Sequence, residues 1–409
     1  IAFDVVARNA ILHDPDFAGG DYYSHPAKPE VGLAIARMLG HITYLSRESM
    51  QDKFEGDRLR PRAVATGFEK EFSVGSYLAY QGDRFVERFD ANSYLRLSMA
   101  IDHFDLGADH ASLVTATSVA HCRWLVVSFS SDWLFPPSQS QELVRALIAG
   151  GKEVSYCDIT SRAGHDAFLL PTELPLYGPL VQSLLIHGGE PQKPQNLPPE
   201  IDALGHDPTA IFYRNRIDYE RICAMIPNAA SVLDLGCGTG GLLARLRQRG
   251  HQQLVGVELD QHQLATAVSR GLAVVQSDLD QGLALFANQQ FEVVVLSQTL
   301  QSVYHVERVL DEMLRIGQMG IVSFPNAGHR NQRQRLYELG RAPETTGLSR
   351  YSWHDTPNIR LITIPDFEDF CAAKGWRILR SAFLETISGQ ETTGNPVVDA
   401  DIAVYALSK

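Results

Sequence analysis

The stretch from Leu125 to Leu169, LVVSFSSDWLFPPSQSQELVRALIAGGKEVSYCDITSRAGHDAFL, constrains the fold more than any other part of the chain. Leu125 to Phe129 is a short apolar run rich in β-branched residues, the pattern of a buried strand, and Asp132 falls just beyond it where a loop begins. Pro136 and Pro137 are expected to hold off the next helix until Gln141, and Gln141 to Ala149 then carries apolar residues at helical spacing. Gly150 and Gly151 end that helix, Val154 to Ile159 reads as the following strand, and Gly164-His165-Asp166 falls on the loop after it. A strand, helix, strand unit of this kind delivers an acid and a histidine to one edge of a parallel sheet, the edge where open α/β folds bind ligands. Asp132 before His165 is also the order of acid and histidine in the hydrolase version of the nucleophile, acid and base triad. Spacing alone is served equally well by an aspartate that caps its loop and an incidental surface histidine.

The words SDWLFPP and GHDAFL resemble the homoserine O-acetyltransferases of methionine biosynthesis, enzymes with an α/β-hydrolase fold. The resemblance implies that Asp132 and His165 complete a triad, and it extends from Ile1 to about Ile186. The chain opens at Ile1, inside the helix-like segment IAFDVVARNAIL and without a Met, which leads to the expectation that an N-terminal part lies outside this sequence. No G-x-S-x-G elbow occurs in the 409 residues, and Gly75-Ser76 sits in a helical, aromatic-rich context unsuited to one. In the family the nucleophilic serine precedes the region matching Ile1. The Pro and Gly loop Asp14 to Tyr23 is similar to one that follows the nucleophile segment.

Gly32 to Ser46 reads as an apolar helix in which Arg37 and Tyr44, about two turns apart, share a side. An arginine in such a place needs an anionic partner, either a structural acid or a ligand. The resemblance implies that Arg37 and Tyr44 contact the carboxylate end of L-homoserine and that Asp166 receives its amino group. Aromatics recur at helical intervals through Phe72 to Leu106 and build core, and in the family this region is an inserted helical lid that pairs two subunits into a homodimer. The implied reaction is a two-step acyl transfer. A serine outside this chain attacks the thioester of acyl-CoA with His165 as base, Asp132 fixes the imidazole, and the γ-hydroxyl of homoserine takes the acyl group. Leu134 is the position informative for the donor. Succinyl-transferring relatives carry an arginine there, and leucine offers no partner for a distal carboxylate, so acetyl-CoA is expected, with homoserine O-succinyltransferase as the alternative.

A length of 409 residues fits two domains of ordinary size, and 44% apolar content suffices for their cores. The balance of 36 Lys and Arg against 48 Asp and Glu argues against a nucleic-acid binder. No apolar run is long enough to cross a bilayer and no leader pattern opens the chain, so a cytoplasmic protein without a membrane partner is expected. Cys122, Cys157, Cys223, Cys237 and Cys371 form neither a pair motif nor a metal-ligand cluster, which predicts buried thiols and no metal.

The composition changes at HGGEPQKPQNLPPEIDALGHDP, a Pro, Gly and polar stretch that places a linker at residues 187–207. Beyond it strands alternate with helical patterns: Ser231 to Leu235, Gln253 to Glu258, Ala273 to Ser277, Phe291 to Leu296, Gly320 to Phe324, Arg377 to Leu384 and Asp401 to Leu407, the last two as a closing antiparallel pair. In VLDLGCGTGG, Gly236, Gly238 and Gly240 lie between a strand and the helix Leu242 to Gln248, so that backbone can approach a ligand closely. The glycines alone would equally hold a dinucleotide. Asp234, Glu258 at the end of the second strand and Asp278 after the third narrow the choice, since an acid at the second strand end can take ribose hydroxyls. The combination resembles class I S-adenosylmethionine-dependent methyltransferases. LSQTLQSV, GIVSFPNAGH and YSWHDTPNIRLITIPDFEDFC are similar to the methionine-biosynthesis W proteins, from about Asp207 onward. That likeness implies a cofactor pocket lined by Asp234, Gly236, Gly238, Gly240, Glu258, Asp278, Leu279 and Ser297. No N-P-P-Y type motif follows the fourth strand, and His305, His329 and His354 receive no role.

The expected architecture is α/β: a partial α/β-hydrolase fold with helical lid over residues 1–186, the linker, and a doubly wound, Rossmann-like methyltransferase sheet over residues 208–409. The expected function is a homoserine O-acetyltransferase fused to a W-type domain whose bound S-adenosylmethionine, a downstream product, would report pathway output. Two alternatives stand beside it: a small-molecule methyltransferase with an inert hydrolase half, and a non-catalytic scaffold.

Overall fold

The computed structural model describes residues 1–54, 73–187, 216–342, 354 and 356–409. Most of the expected linker at residues 187–207 lies outside these residues. The chain divides into two compact units, one of residues 1–120, 127–143 and 158–177, the other of residues 121–126, 144–157 and 178–409.

The first unit is helical around the acid and histidine loops. Helices Ala2–Leu12, Glu30–Tyr44, Ser73–Val86 and Ala91–His103 bury one face each, and Ala7, Ile11, Leu33, Ala36, Phe85 and Leu95 make a common core with Phe17 and Tyr22 from the intervening loop. The expected loop at Asp14 to Tyr23 is tightened by a 3₁₀ turn, Pro15–Gly20, whose Asp16 N–H is accepted by the Asp14 side chain. Gly75 and Ser76 lie inside helix Ser73–Val86.

Strands β1 (Trp124–Phe129) and β2 (Val154–Ile159) are neighbours joined by helix Pro137–Ala149. That helix begins at Pro137, four residues ahead of the expected Gln141. Proline stops a helix from within, but at its first position the missing N–H would have no partner anyway and its fixed φ suits the turn. An acid loop after one strand and a histidine loop after the next is the C-terminal portion of an α/β-hydrolase fold.

Residues 232–408 form the doubly wound sheet, from β3 (Val232–Leu235), β4 (Leu254–Glu258), β5 (Ala273–Gln276), β6 (Phe291–Ser297), β7 (Gly317–Pro325), β8 (Arg377–Glu385), β9 (Gln390–Glu391) and β10 (Ile402–Ser408). Their order is β5-β4-β3-β6-β7-β10-β8-β9. The strands from β3 to β7 pair in parallel, while β10 lies antiparallel between β7 and β8. This is the Rossmann order with a final antiparallel strand inserted near one edge, the arrangement of class I methyltransferases. Strands covered on both faces read as unbroken apolar runs, and Val293 to Leu296 and Ile402 to Leu407 are fully buried throughout. The order reverses at β3, so the crevice beyond its carboxyl end is the place for a ligand.

Among the described residues no helix is long and apolar enough to cross a membrane, and no group of three or more His, Cys, Asp or Glu is placed to hold a metal. Four cysteines are buried; Cys122 is exposed, against the expectation of buried thiols throughout, because it falls in the turn before β1.

Candidate acyl-transfer and cofactor sites

Asp132 follows β1 and is buried. Its Oδ1 accepts the backbone N–H groups of Leu134 at 3.0 Å and Phe135 at 2.9 Å, which orients the carboxylate and leaves Oδ2 for the imidazole. The Nδ1–H of His165 donates to Oδ2 at 2.9 Å, which keeps Nε2 for chemistry. Two serines that sequence reasoning passed over lock the loops together. Ser131 Oγ accepts the Gly164 N–H at 2.9 Å, and Ser130 Oγ accepts the Ser161 N–H at 3.1 Å. Gly164 has φ +80°, and a Cβ there would stand 2.8 Å from the Tyr44 carbonyl oxygen, so the histidine loop closes on the end of helix Glu30–Tyr44 only because this residue has no side chain.

Of the expected substrate residues, Tyr44 packs beside that imidazole, Arg37 lies against Tyr44, and Asp166 is next to His165 in the chain. The Tyr44 ring is 5.6 Å from His165, with Phe135 at 5.1 Å and Phe168 at 5.9 Å on other sides. The Arg37 guanidinium lies 5.7 Å from the Tyr44 ring and 5.0 Å from Phe85, and its Nε is buried without a hydrogen-bond partner among the described residues. Burial raises the Asp166 carboxyl above its ordinary value, against the opposing pull of His165 and Arg37. Leu134 is half-buried beside the acid, and its side chain carries no charge. A polar residue absent from the sequence expectation, His41, sits one turn beyond Arg37; only its i+4 spacing could have drawn notice.

In the second unit the turn after β3 holds Gly236, Gly238 and Gly240 at φ +72°, +56° and +80°. A Cβ at Gly236 would stand 2.6 Å from Thr299 Oγ1. Glu258 spans this turn, with Oε2 accepting the Gly238 N–H at 2.8 Å and Oε1 accepting those of Leu259 at 2.8 Å and Asp260 at 2.9 Å; burial still raises its carboxyl. Asp234 is 2% exposed, its Oδ1 has no partner among the described residues, and burial pushes it up to about 7 while Arg216 pulls it down.

Asp278 is occupied as a cap, with Oδ1 accepting from the Asp280 N–H at 2.9 Å and Oδ2 from the Gln281 amide at 3.1 Å; Leu279 behind it is buried. The Ser297 hydroxyl is bound into a buried cluster, donating to Asp218 Oδ2 at 2.9 Å and accepting from Arg216 at 2.7 Å. Arg216 grips Asp218 through two bonds of 2.8 Å. Burial would raise Asp218, but the guanidinium and the Ser297 and Ser323 hydroxyls outweigh it and hold the carboxyl low. Arg216 and Asp218 carry no motif that marks them in sequence.

Residues 216–407 match the family model of the methionine biosynthesis protein MetW. Over 419 residues the chain is 45% identical to the bifunctional methionine biosynthesis protein MetXA/MetW of Rhodopirellula baltica, covering 100% of this chain and 65% of that protein. It is 56% identical over 171 residues to a homoserine O-succinyltransferase of Halothiobacillus neapolitanus, covering 42% of each. A solved homoserine O-acetyltransferase from Bacillus anthracis is 23% identical at a TM-score of 0.37, covering 43% of this chain and 47% of that one. The chain thus spans less than two thirds of the length of each of these relatives. The likenesses support a chain that joins a homoserine-acyltransferase-like part to a MetW part.

Proposed function

We propose that the protein is a homoserine O-acetyltransferase whose acyl-transfer part, residues 1–186, is fused to a MetW part that binds S-adenosylmethionine. The observation that carries the first half is the Asp132 to His165 bond of 2.9 Å, with the remaining oxygen of the acid held by two backbone N–H groups. An imidazole fixed in this way has Nε2 as a general base for a hydroxyl nucleophile, which this reading places outside the present sequence. His165 removes the proton as the hydroxyl attacks the acyl thioester and returns it to the departing CoA sulfur. It then takes the proton of the homoserine γ-hydroxyl as that oxygen attacks the acyl carbon, and returns it to the enzyme hydroxyl. Arg37 and Asp166 supply the opposite charges that a zwitterionic acceptor requires, and the Tyr44 ring lies near both Arg37 and the base.

For the donor, relatives at this level of identity bear the name succinyltransferase, whereas Leu134 has nothing to pair with a distal carboxylate. We take the side chain as decisive. Native full-length protein is to be assayed for thiol release from acetyl-CoA and succinyl-CoA with L-homoserine. Faster acetyl transfer, abolished by His165→Ala, is expected; faster succinyl transfer would overturn the donor, and no transfer from either would overturn the reaction class.

For the MetW part, the glycine turn, the unpartnered Asp234 oxygen and the Glu258 carboxylate are groups an adenosyl amino acid can use: close backbone, an acid for an ammonium and acceptors for ribose hydroxyls. When bound, that cofactor would supply a methyl group on a sulfonium. Calorimetric titration with S-adenosylmethionine tests this half by itself.

A further inference from the structure

Helix Glu30–Tyr44 presents Arg37, His41 and Tyr44 at i, i+4 and i+7, and so along one side. Tyr44 reaches the catalytic imidazole, as described above. His41 lies behind it, 8% exposed, its ring 5.9 Å from Tyr44 and 5.7 Å from Tyr77. Its Nδ1 meets the Tyr77 hydroxyl at 3.1 Å. Its Nε2, like Arg37 Nε, is buried without a hydrogen-bond partner among the described residues.

A buried polar nitrogen with no partner costs about 1–3 kcal/mol, so two of them one turn apart mark a place that a ligand can complete. The charges acting on His41 are all positive: Arg37, Lys53 and Arg88. Burial first, and then these cations, lower the imidazole to about 4, so it stays neutral at physiological pH. The Tyr77 contact admits either direction; with the phenol as donor to Nδ1, the single ring proton resides on Nε2. A neutral N–H donor strengthens an anion site without adding another charge to be desolvated.

We propose that His41, through Nε2–H, joins Arg37 in a buried receptor for a substrate carboxylate, with Tyr77 as the positioning residue that fixes the tautomer. This rests on the acyltransferase reading and extends it to a residue that neither motif nor likeness singled out. The carboxylate is either the α-carboxylate of the amino-acid acceptor or the distal carboxylate of a dicarboxylic acyl donor.

The test is steady-state acyl transfer by the native full-length protein and its His41→Phe, His41→Gln and Tyr77→Phe variants, with acceptor and donor varied separately. Loss of one hydrogen bond to a charged group should raise the homoserine KM about 10- to 100-fold in His41→Phe. The rate of thiol release from acetyl-CoA in the half-reaction before acceptor binding serves as the internal reference. His41→Gln retains an N–H donor and should recover most of the loss, a rescue that a merely structural histidine would not give. Tyr77→Phe should raise the same KM by a smaller factor and covers the case in which His41→Phe does not fold. A rise confined to the succinyl-CoA KM would assign the receptor to the donor instead. Unchanged KM values for both substrates overturn the proposal while acyl transfer stands. A wild-type protein that transfers from neither donor overturns the reading beneath it.

Discussion

Replacing Asp234 by Asn removes a charge that the fold holds at a cost. This carboxyl is 2% exposed, one of its oxygens has no partner among the described residues, and burial raises it from 3.8 to about 7. Because the folded state binds this proton more tightly than the unfolded chain does, stability conferred by the protonated form is present below about pH 4. It is lost as pH rises toward 7 and stays lost above that. At ~1.4 kcal/mol per pH unit, the penalty at pH 8 is on the order of 4 kcal/mol. Asparagine is neutral at every pH and escapes it. For a unit of this size, ~1 kcal/mol moves the melting midpoint by about 2–4 °C, so the variant should melt about 8–16 °C above wild type at pH 8 and close to it at pH 4. Glu258, also raised by burial, acts on Asp234 as a like charge, so relief of that repulsion is part of what the variant gains at high pH. The assay is calorimetry of both proteins from pH 4 to 8, following the transition of the unit that contains Asp234. A wild-type to variant difference that is the same at both ends of that range would refute the argument.

Asp132→Asn keeps the shape of the acid but lets the His165 tautomer invert, so kcat for acyl transfer by the native full-length protein should fall about 10,000-fold with little change in KM. Leu134→Arg places a cation two residues beyond the acid and should raise the ratio of succinyl-CoA to acetyl-CoA kcat/KM by about tenfold or more; an unchanged ratio would remove Leu134 from donor selection. Helix Ala91–His103 leaves Leu97, Ile101 and, just past its end, Phe104 at 56%, 70% and 68% exposure on one stripe, where the lid of a homodimer would meet its copy. Ile101→Glu should convert a dimer to a monomer in sedimentation velocity. A wild-type protein already monomeric at micromolar concentration would end that expectation.

The central strands of the second unit were legible because burial on both faces writes itself as runs of Val, Leu and Ile, and each expected strand, the largely exposed Arg377–Glu385 included, is found within a few residues of its observed ends. The two-residue strand Gln390–Glu391 was not legible: it exists only by pairing with Leu384 and Glu385, and nothing in its own composition favours a strand. The misplaced start at Pro137 has the opposite cause, since one residue type has contrary effects inside a helix and at its first turn.

The sites divide along the same line. Asp132, His165 and the three glycines announce themselves because their chemistry depends on residue type at fixed spacing after a strand. His41 gains meaning only from what fails to touch it, and Asp234, already marked in sequence as an acid beside the glycines, gains more in the same way: a ring nitrogen and a carboxylate oxygen, both buried, both without partners among the described residues. Sequence carries no record of an unmet hydrogen bond, because partners come from segments far apart in the chain, as Tyr77 does for His41. A fold does not keep such atoms for stability, since each lowers it. If their vacancy is instead made good by ligands, homoserine or S-adenosylmethionine should each raise the melting midpoint of the unit it enters, and each increment should shrink when His41 or Asp234 is replaced.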